Sequence, residues 1–321
     1  MSSEATLVNG DPQQVQFTAG ADLTSGEVLQ LDDGRAAVVA GLAGFDSGDT
    51  ASAYVKGEFK LAKTSSINLL KGGRVYWDRS AGKANYKAGS GDFYVGVVAE
   101  DSLAAATTVK VALNVEPRYD VWLDGKASNC LWTEGATDGL GVTEATHAQP
   151  LTLAFDAVAE VAMAAIYLAD ASDKIPVADL GIFEFNIAVV DAGDDGALDI
   201  NFGIANGTHA TDADSIAEAV FFHIDGSALD LKAESDDGTT EVAATDTTKD
   251  IAEGTYYEFW IDARDPTDIQ IYVDGVNYLP ASVFKLNAAT GPLMPIVHLE
   301  KTSNDTTADV RVKRITARMR D

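Results

Sequence analysis

The chain has 321 residues, 50 acidic and 23 basic, for a net charge of −27, a field that repels nucleic acid and anionic membranes and argues against either as a partner. Its 46% hydrophobic share suits a globular protein with a sizeable core, and no run approaches the ~20 apolar residues of a membrane span. The single cysteine, Cys130, excludes an internal disulfide framework and any multi-cysteine metal site, and reads as a small buried apolar residue.

The length suits two domains, and the charge is unevenly divided between them. Residues 1–116 hold 14 acidic and 10 basic side chains, whereas residues 117–321 hold 36 and 13. The acidity of the second part reads as a solvated face suited to a saline environment. Residues 1–12 are polar, carry Gly10 and Pro12 and show no periodicity, so they read as an arm, flexible when free. The opening MSSEATLVNGDPQQ has neither a positive n-region nor an apolar h-region, so a cytoplasmic site of synthesis is expected rather than export.

From Gln13 onward, short β-type runs alternate with Gly/Asp/Ser punctuation at Asp32-Asp33-Gly34, 41–48, Gly72-Gly73 and 89–91. Closely spaced strands without helical periodicity predict a small barrel or sandwich. In GEFKLAKTSSINLLKGGRVYWD (57–78), Phe59 and Leu61 alternate with Glu58 and Lys60, and Val75 and Trp77 share a face. In TTVKVALN, Val109, Val111 and Leu113 share another.

The succession QVQFTAGADLTSGEVLQLDDGRAAVV, AYVKGEFKLAK, GGRVYWD, FYVGVVAE, TVKVALN resembles the small β domain of tailed-phage head decoration proteins. That resemblance implies a β-barrel-like decoration domain over 13–116. It also implies the major capsid protein as partner, a homotrimer at local three-fold positions, and residence on the outer surface of the virion capsid after synthesis in the host cytoplasm. On this reading Gln14, Gln16, Phe17 and Trp77 are the capsid-binding candidates, and the arm orders on binding.

The stretch NVEPRYDVWLDG (114–125) marks the boundary, because Pro117 interrupts ladder pairing. Residues 126–150 are Gly/Thr-rich and weakly periodic. AFDAVAEVAMAAIYLAD (154–170) is Ala-rich enough for a helix yet lacks a clean 3.6-residue stripe, so helix and buried strand both remain open. Strands are predicted at Phe183–Val190, Ala197–Ile204, Ala219–Ile224 and Ala228–Ala233. In GTYYEFWIDARDPTDIQIYVDGV two alternating runs flank a Pro266 turn and end on Asp274-Gly275, which predicts an antiparallel hairpin. With the closing strand Asp309–Met319, this segment resembles a concanavalin A/laminin-G-like jelly roll over 117–321, so the fold class expected is all-β. The closing strand changes parity, which predicts a β-bulge near Lys313-Arg314. Its basic residues, Arg311 to Arg320, read as charges that block pairing at a sheet edge.

Catalytic signals are few, and no catalytic residue is assigned. The nearest match to a retaining glycosidase pair, whose carboxylates stand ~5–5.5 Å apart, is Glu234-Ser-Asp236 with Glu241, where the last spacing is too long. No Gly-x-Ser-x-Gly elbow or Walker loop occurs, and the four histidines are scattered; His223 and His298 read as satisfied sheet residues. Asp191, Asp194, Asp195 and Asp199 form an acidic loop that is a candidate Ca²⁺ site, with a solvated turn as the simpler reading. Tyr256, Trp260 and Tyr272 share parity across the hairpin and form a candidate protein-interface or glycan face. Glycan-binding adhesion is the alternative to capsid decoration, and a polysaccharide hydrolase stands behind both. A bacterial surface protein is the weakest reading.

Overall fold

The computed structural model describes residues 4–10, 12–124, 127–128, 132–136, 141–143, 150–168, 170 and 172–320; Cys130 lies outside them. The protein is all-β. Its chain divides into two compact units, 1–118 and 119–321.

Among its described residues the N-terminal unit has ten strands: β1 (Ala5–Asn9), β2 (Gln14–Thr18), β3 (Val28–Gln30), β4 (Ala36–Val39), β5 (Thr50–Tyr54), β6 (Glu58–Ala62), β7 (Arg74–Asp78), β8 (Lys83–Asn85), β9 (Phe93–Glu100) and β10 (Thr108–Leu113). They form a six-stranded sheet, β1-β6-β10-β9-β7-β8, and a four-stranded sheet, β2-β5-β4-β3. Period-two alternation places every second side chain on one face, so Phe59, Leu61, Val75, Trp77, Val109, Val111 and Leu113 meet in one core with Val28, Ala36 and Val38 from the second sheet. Lys63 is buried beside it, its Nζ donating to the carbonyls of Ile67, Ser102 and Leu103 at 2.8, 3.1 and 2.6 Å.

Residues 5–9 are not a free arm. They pair antiparallel with β6, Ala5 opposite Leu61 and Leu7 opposite Phe59, with a register shift before Asn9. Ala5 is buried, and the neighbouring Glu4 carboxylate accepts the Val28 N–H at 2.8 Å. A strand this short and bulged has no alternation of its own; its partner imposes the extended conformation.

The C-terminal unit holds β11 (Val121–Asp124), β12 (Ala127–Ser128), β13 (Trp132–Ala136), β14 (Gly141–Thr143), β15 (Leu151–Phe155), β16 (Glu160–Leu168), β17 (Ile182–Asp191), β18 (Leu198–Ala205), β19 (Glu218–Asp225), β20 (Asp230–Asp237), β21 (Glu241–Asp250), β22 (Tyr257–Asp262), β23 (Gln270–Val273), β24 (Met294–Asn304) and β25 (Ala308–Arg318). One sheet runs β12-β11-β25-β17-β22-β23, with β15 also on β25 and β14 on β15. The other runs β13-β16-β24-β18-β19-β20-β21. All their pairings are antiparallel. The segment left open between helix and strand is strand: β16 fits between β13 and β24, and its alanines at 162, 164 and 165 are fully buried. Helix propensity is a weak preference that tertiary burial overrides.

The two sheets of this unit close on an aromatic core. Phe202 of β18 lies 4.7 Å from Phe259 of β22 and 6.2 Å from Phe185 of β17, centroid to centroid, while Phe222 of β19 lies 5.1 Å from Phe259. The bulge in β25 falls on Lys313: Arg314 pairs with Asn186 and Val312 with Ile187, leaving the residue between them unpaired. It lets Val310, Val312, Ile315 and Ala317 all be buried. The β22–β23 hairpin aligns Trp260 with Tyr272, and beyond it Asp274 and Gly275 adopt φ of 51° and 77°, the left-handed pair that a tight turn requires.

Candidate functional site

In the N-terminal unit, three of the four sequence candidates share one strand. Gln14, Gln16 and Phe17 lie on β2, an outer strand of the four-stranded sheet. Val15 and Phe17 are half-buried against Ala37, Ala53 and Val55, whereas Gln14, Gln16 and Thr18 are exposed. Val55 N–H donates to Gln13 C=O at 2.8 Å and Ala19 N–H to Asp49 C=O at 2.9 Å. Since bonding alternates along an antiparallel ladder, odd-numbered residues of β2 bond inward to β5. The N–H and C=O groups of Gln14, Gln16 and Thr18 therefore point outward along an open edge. Neither β2 nor β1, the edge of the other sheet, carries a charged side chain, and β1 exposes Leu7 and Val8. Trp77 belongs elsewhere. It is 2% exposed, pairs with Phe93 and is part of the core, so it makes no surface contact.

The aromatic trio of the C-terminal unit is not an open face. Trp260 and Tyr272 are 7% and 5% exposed, 6.1 Å apart by ring centroid, and Tyr256 is half-buried outside the strand beneath the Lys313 ammonium. They lie on the sheet face opposite Phe259, which also carries a buried polar layer. Glu184 pairs with Arg318 and accepts Thr316 Oγ1 at 3.1 Å; Glu258 pairs with Arg314 at 3.0 Å and accepts Asn186 Nδ2 at 2.6 Å. Burial alone would push the Glu184 carboxyl up, but Arg318, Arg314 and its hydrogen bonds hold it below the usual carboxylate range. Burial, with Glu184 adding to it, keeps Glu258 above that range against the pull of Arg314. These arginines are therefore not edge guards. β25 lies between β11 and β17, and they compensate buried carboxylates.

The acidic loop 191–199 does not gather four oxygen ligands. Asp191 Oδ1 accepts Gly193 N–H at 2.8 Å and its Oδ2 accepts Thr307 Oγ1 at 2.6 Å, while Asp195 Oδ1 accepts Ala197 N–H at 2.9 Å. These carboxylates satisfy the backbone of their own turns, and Asp194 is exposed. Asp199 lies on β18 and points to a different group of residues.

That group centres on His223 of β19, a side chain 4% exposed on the face of its sheet opposite Phe222. Its Nε2 is 2.6 Å from Asp225 and 3.8 Å from Asp199; its Nδ1 is 3.3 Å from Asp214 and 3.6 Å from Glu234. Asp225 also pairs with Lys232. Asp214 arrives on a 3-10 turn, Ala213–Ser215, and Glu234 from β20. This turn is held to the sheet by Glu300, both of whose carboxylate oxygens accept Ala213 N–H at 2.8 Å. His298, fully buried, meets the carbonyl of His209 through Nε2 at 2.8 Å. Burial opposes a charge on His223, but Asp214 and Glu234 outweigh it and raise its pKa to about 11. Burial raises Asp199 to about 7 despite His223, with Glu300, Asp214 and Asp225 adding to the rise. Glu234 is raised too, chiefly by burial.

A cleft of about 160 Å³ opens beside the Nδ1 side, lined in part by Asp214, Phe221, Glu234, Asp236 and Glu241. The three carboxylates weighed as a hydrolase motif thus share one cleft, but Asp236 and Glu241 are a cross-strand pair from β20 and β21 and Glu234 faces His223. The sequence carried a partial signal for this cluster. Asp199-x-Asn201, His223-x-Asp225 and Lys232-x-Glu234 each put polar residues at the parity opposite the core, but which of them meet depends on strand register.

Comparison with known proteins bears on the N-terminal unit first. Residues 8–113 match the phage cement protein family. The match spans the first third of the chain. No curated protein sequence matches the chain. Among solved structures, the chain is similar to the carbohydrate recognition domain of Emp47p, at 12% identity and TM-score 0.38 over 61% of this chain and 93% of that one. It is similar as well to the catalytic domain of a laminarinase from Thermotoga petrophila RKU-1 (11%, 0.41, 64% and 99%). A third similarity is to a structure described with endo-acting O-glycanases of the human gut microbiota that initiate mucin breakdown (9%, 0.47, 64% and 100%). Likenesses this distant carry no functional argument; the sandwich stands on the strand pairings themselves.

Proposed function

We propose that the protein is a phage head decoration protein, a trimer at local three-fold positions that binds the major capsid protein on the outer surface of the head through its N-terminal unit. The observation that carries this reading is the cement-family match over 8–113. The uncharged open edge of β2 within that stretch supports it. An exposed edge is ordinarily guarded by charge, because it offers unpaired N–H and C=O groups to any extended segment. Here it supplies the docking surface: an extended capsid segment adds to β2, and Gln14, Gln16 and Phe17 set the register. Many modest contacts then sum over the lattice. The acidic C-terminal unit is displayed to solvent, where like charge favours colloidal stability.

Co-sedimentation with heads that lack the protein tests this. The full chain binds saturably, and a chain beginning at Tyr119 does not. Equal binding by the shortened chain, or none by the full one, overturns the reading.

A further inference from the structure

We propose that the Nδ1 side of His223, together with the carboxylates of Asp214 and Glu234, is a binding site for a divalent cation that accepts both imidazole nitrogen and carboxylate oxygen. The ligand atoms of these three residues lie within 4.8 Å of one another, as they would around a shared ion. One imidazole with two carboxylates suits Mn²⁺ or Zn²⁺ better than the all-oxygen preference of Ca²⁺.

The two ring nitrogens have unequal surroundings, and this selects the side. At Nε2, Asp225 is already engaged by the ring at 2.6 Å and by Lys232. A carboxylate on the far nitrogen is how a metal-binding histidine is usually oriented and made more basic, with the nitrogen facing the ion left free. At Nδ1 the contacts are longer, 3.3 and 3.6 Å, and Glu234 Oε1 is buried without a hydrogen-bond partner. This side also borders the cleft, which provides an entry path.

A second observation is independent of the carboxylates. Asn201 is fully buried, and neither its Oδ1 nor its Nδ2 has a partner. It lies in register with both His223 and His298, so its side chain shares their face and is aimed into the same layer. A buried amide left wholly unsatisfied costs about 1–3 kcal/mol, and the polar layer around it is completed by a species that protein atoms do not supply. An ion at Nδ1 belongs to that same layer, on the sheet face that His223 and Asn201 share. It also ties the turn bearing Asp214 to β19 and β20, so that cation binding pins the segment 206–217 onto the sheet.

The test uses the full-length protein, freed of metal with EDTA and titrated with MnCl₂, with the free Mn²⁺ signal followed by electron paramagnetic resonance. Expected is saturable binding, equimolar with the chain, together with slower amide exchange across 206–217. Asp225→Asn, which changes the carboxylate that orients the ring and its pair with Lys232, weakens binding by roughly tenfold or more, and Glu234→Gln and Asp214→Asn weaken it further. Ca²⁺ competes poorly and Zn²⁺ well. Asp214 is 43% exposed on its turn, so its variant folds and keeps the experiment decisive. Uptake that rises linearly without saturating, or that is unchanged in Asp214→Asn, is diffuse attraction to the acidic surface and overturns the proposal.

Discussion

At the scale of single residues, buried polar groups decide more than exposed ones. Glu218 of β19 is 7% exposed and accepts four hydrogen bonds: from Thr290 N–H at 2.7 Å and Oγ1 at 2.9 Å, Gly291 N–H at 2.9 Å and Asn206 Nδ2 at 2.9 Å. Burial would raise its pKa, but these donors hold it below the usual carboxylate value. The folded state thus releases this proton more readily than the unfolded chain, whose carboxylate titrates near about 4.3. The stabilisation is present above that pH and is lost as pH falls through the lower folded value. Glu218→Gln is expected to lower stability at pH 7 by about 1–3 kcal/mol and to flatten the acid limb of a stability–pH curve, as measured by urea unfolding. Lys63 sets a parallel case in the other unit. Lys63→Met leaves three carbonyls without their donor and destabilises by about 2–4 kcal/mol, read from the same titration. Trp260 is buried, so Trp260→Ala is expected to lower the unfolding temperature, with no glycan ligand required to see the effect.

At the scale of elements, β2 is the strand whose chemistry and position disagree most with ordinary practice. β21, an outer strand of the seven-stranded sheet, carries Glu241, Asp246, Lys249 and Asp250 and is twice irregular against β20, devices that discourage further pairing. β2 has none of them. Gln16→Pro removes one outward N–H and leaves the β5 ladder intact, since proline is tolerated on an edge strand. Stability is expected to change by less than about 1 kcal/mol, while co-sedimentation with heads falls severalfold. Undiminished head binding by a folded variant shows that β2 is not the docking edge. The period-two strands and the 257–273 hairpin were legible in advance because alternation is a local property, printed residue by residue. β1 was not, since a five-residue bulged strand owes its conformation to β6. The basic residues of β25 were assigned to an edge for a similar reason. Whether a strand is central depends on partners distant in sequence, here β17 and β11.

At the scale of the whole molecule, two compact units hold separate cores, one around Phe59 and Trp77 and the other around Phe202, Phe222 and Phe259. Trp77→Ala is expected to cost about 3–5 kcal/mol in the N-terminal unit alone, visible in calorimetry as a shift of one transition, while Phe202→Ala shifts the other. A common shift of both transitions by either variant would show that they unfold as one. By itself the sequence determined the all-β class, the strands with clear period-two alternation, the bulge at Lys313 and the resemblance that the cement-family match supports over 8–113. These follow from local periodicity and from the order of local patterns. Only the tertiary structure decided that Trp77, Trp260 and Tyr272 are inside, that Asp191 and Asp195 serve their own turns, and that His223 gathers Asp199, Asp214, Asp225 and Glu234. The reason is physical. Alternation states which side of a strand a residue takes, but what covers that side, and which carboxylates converge on it, depends on register among strands far apart in the chain.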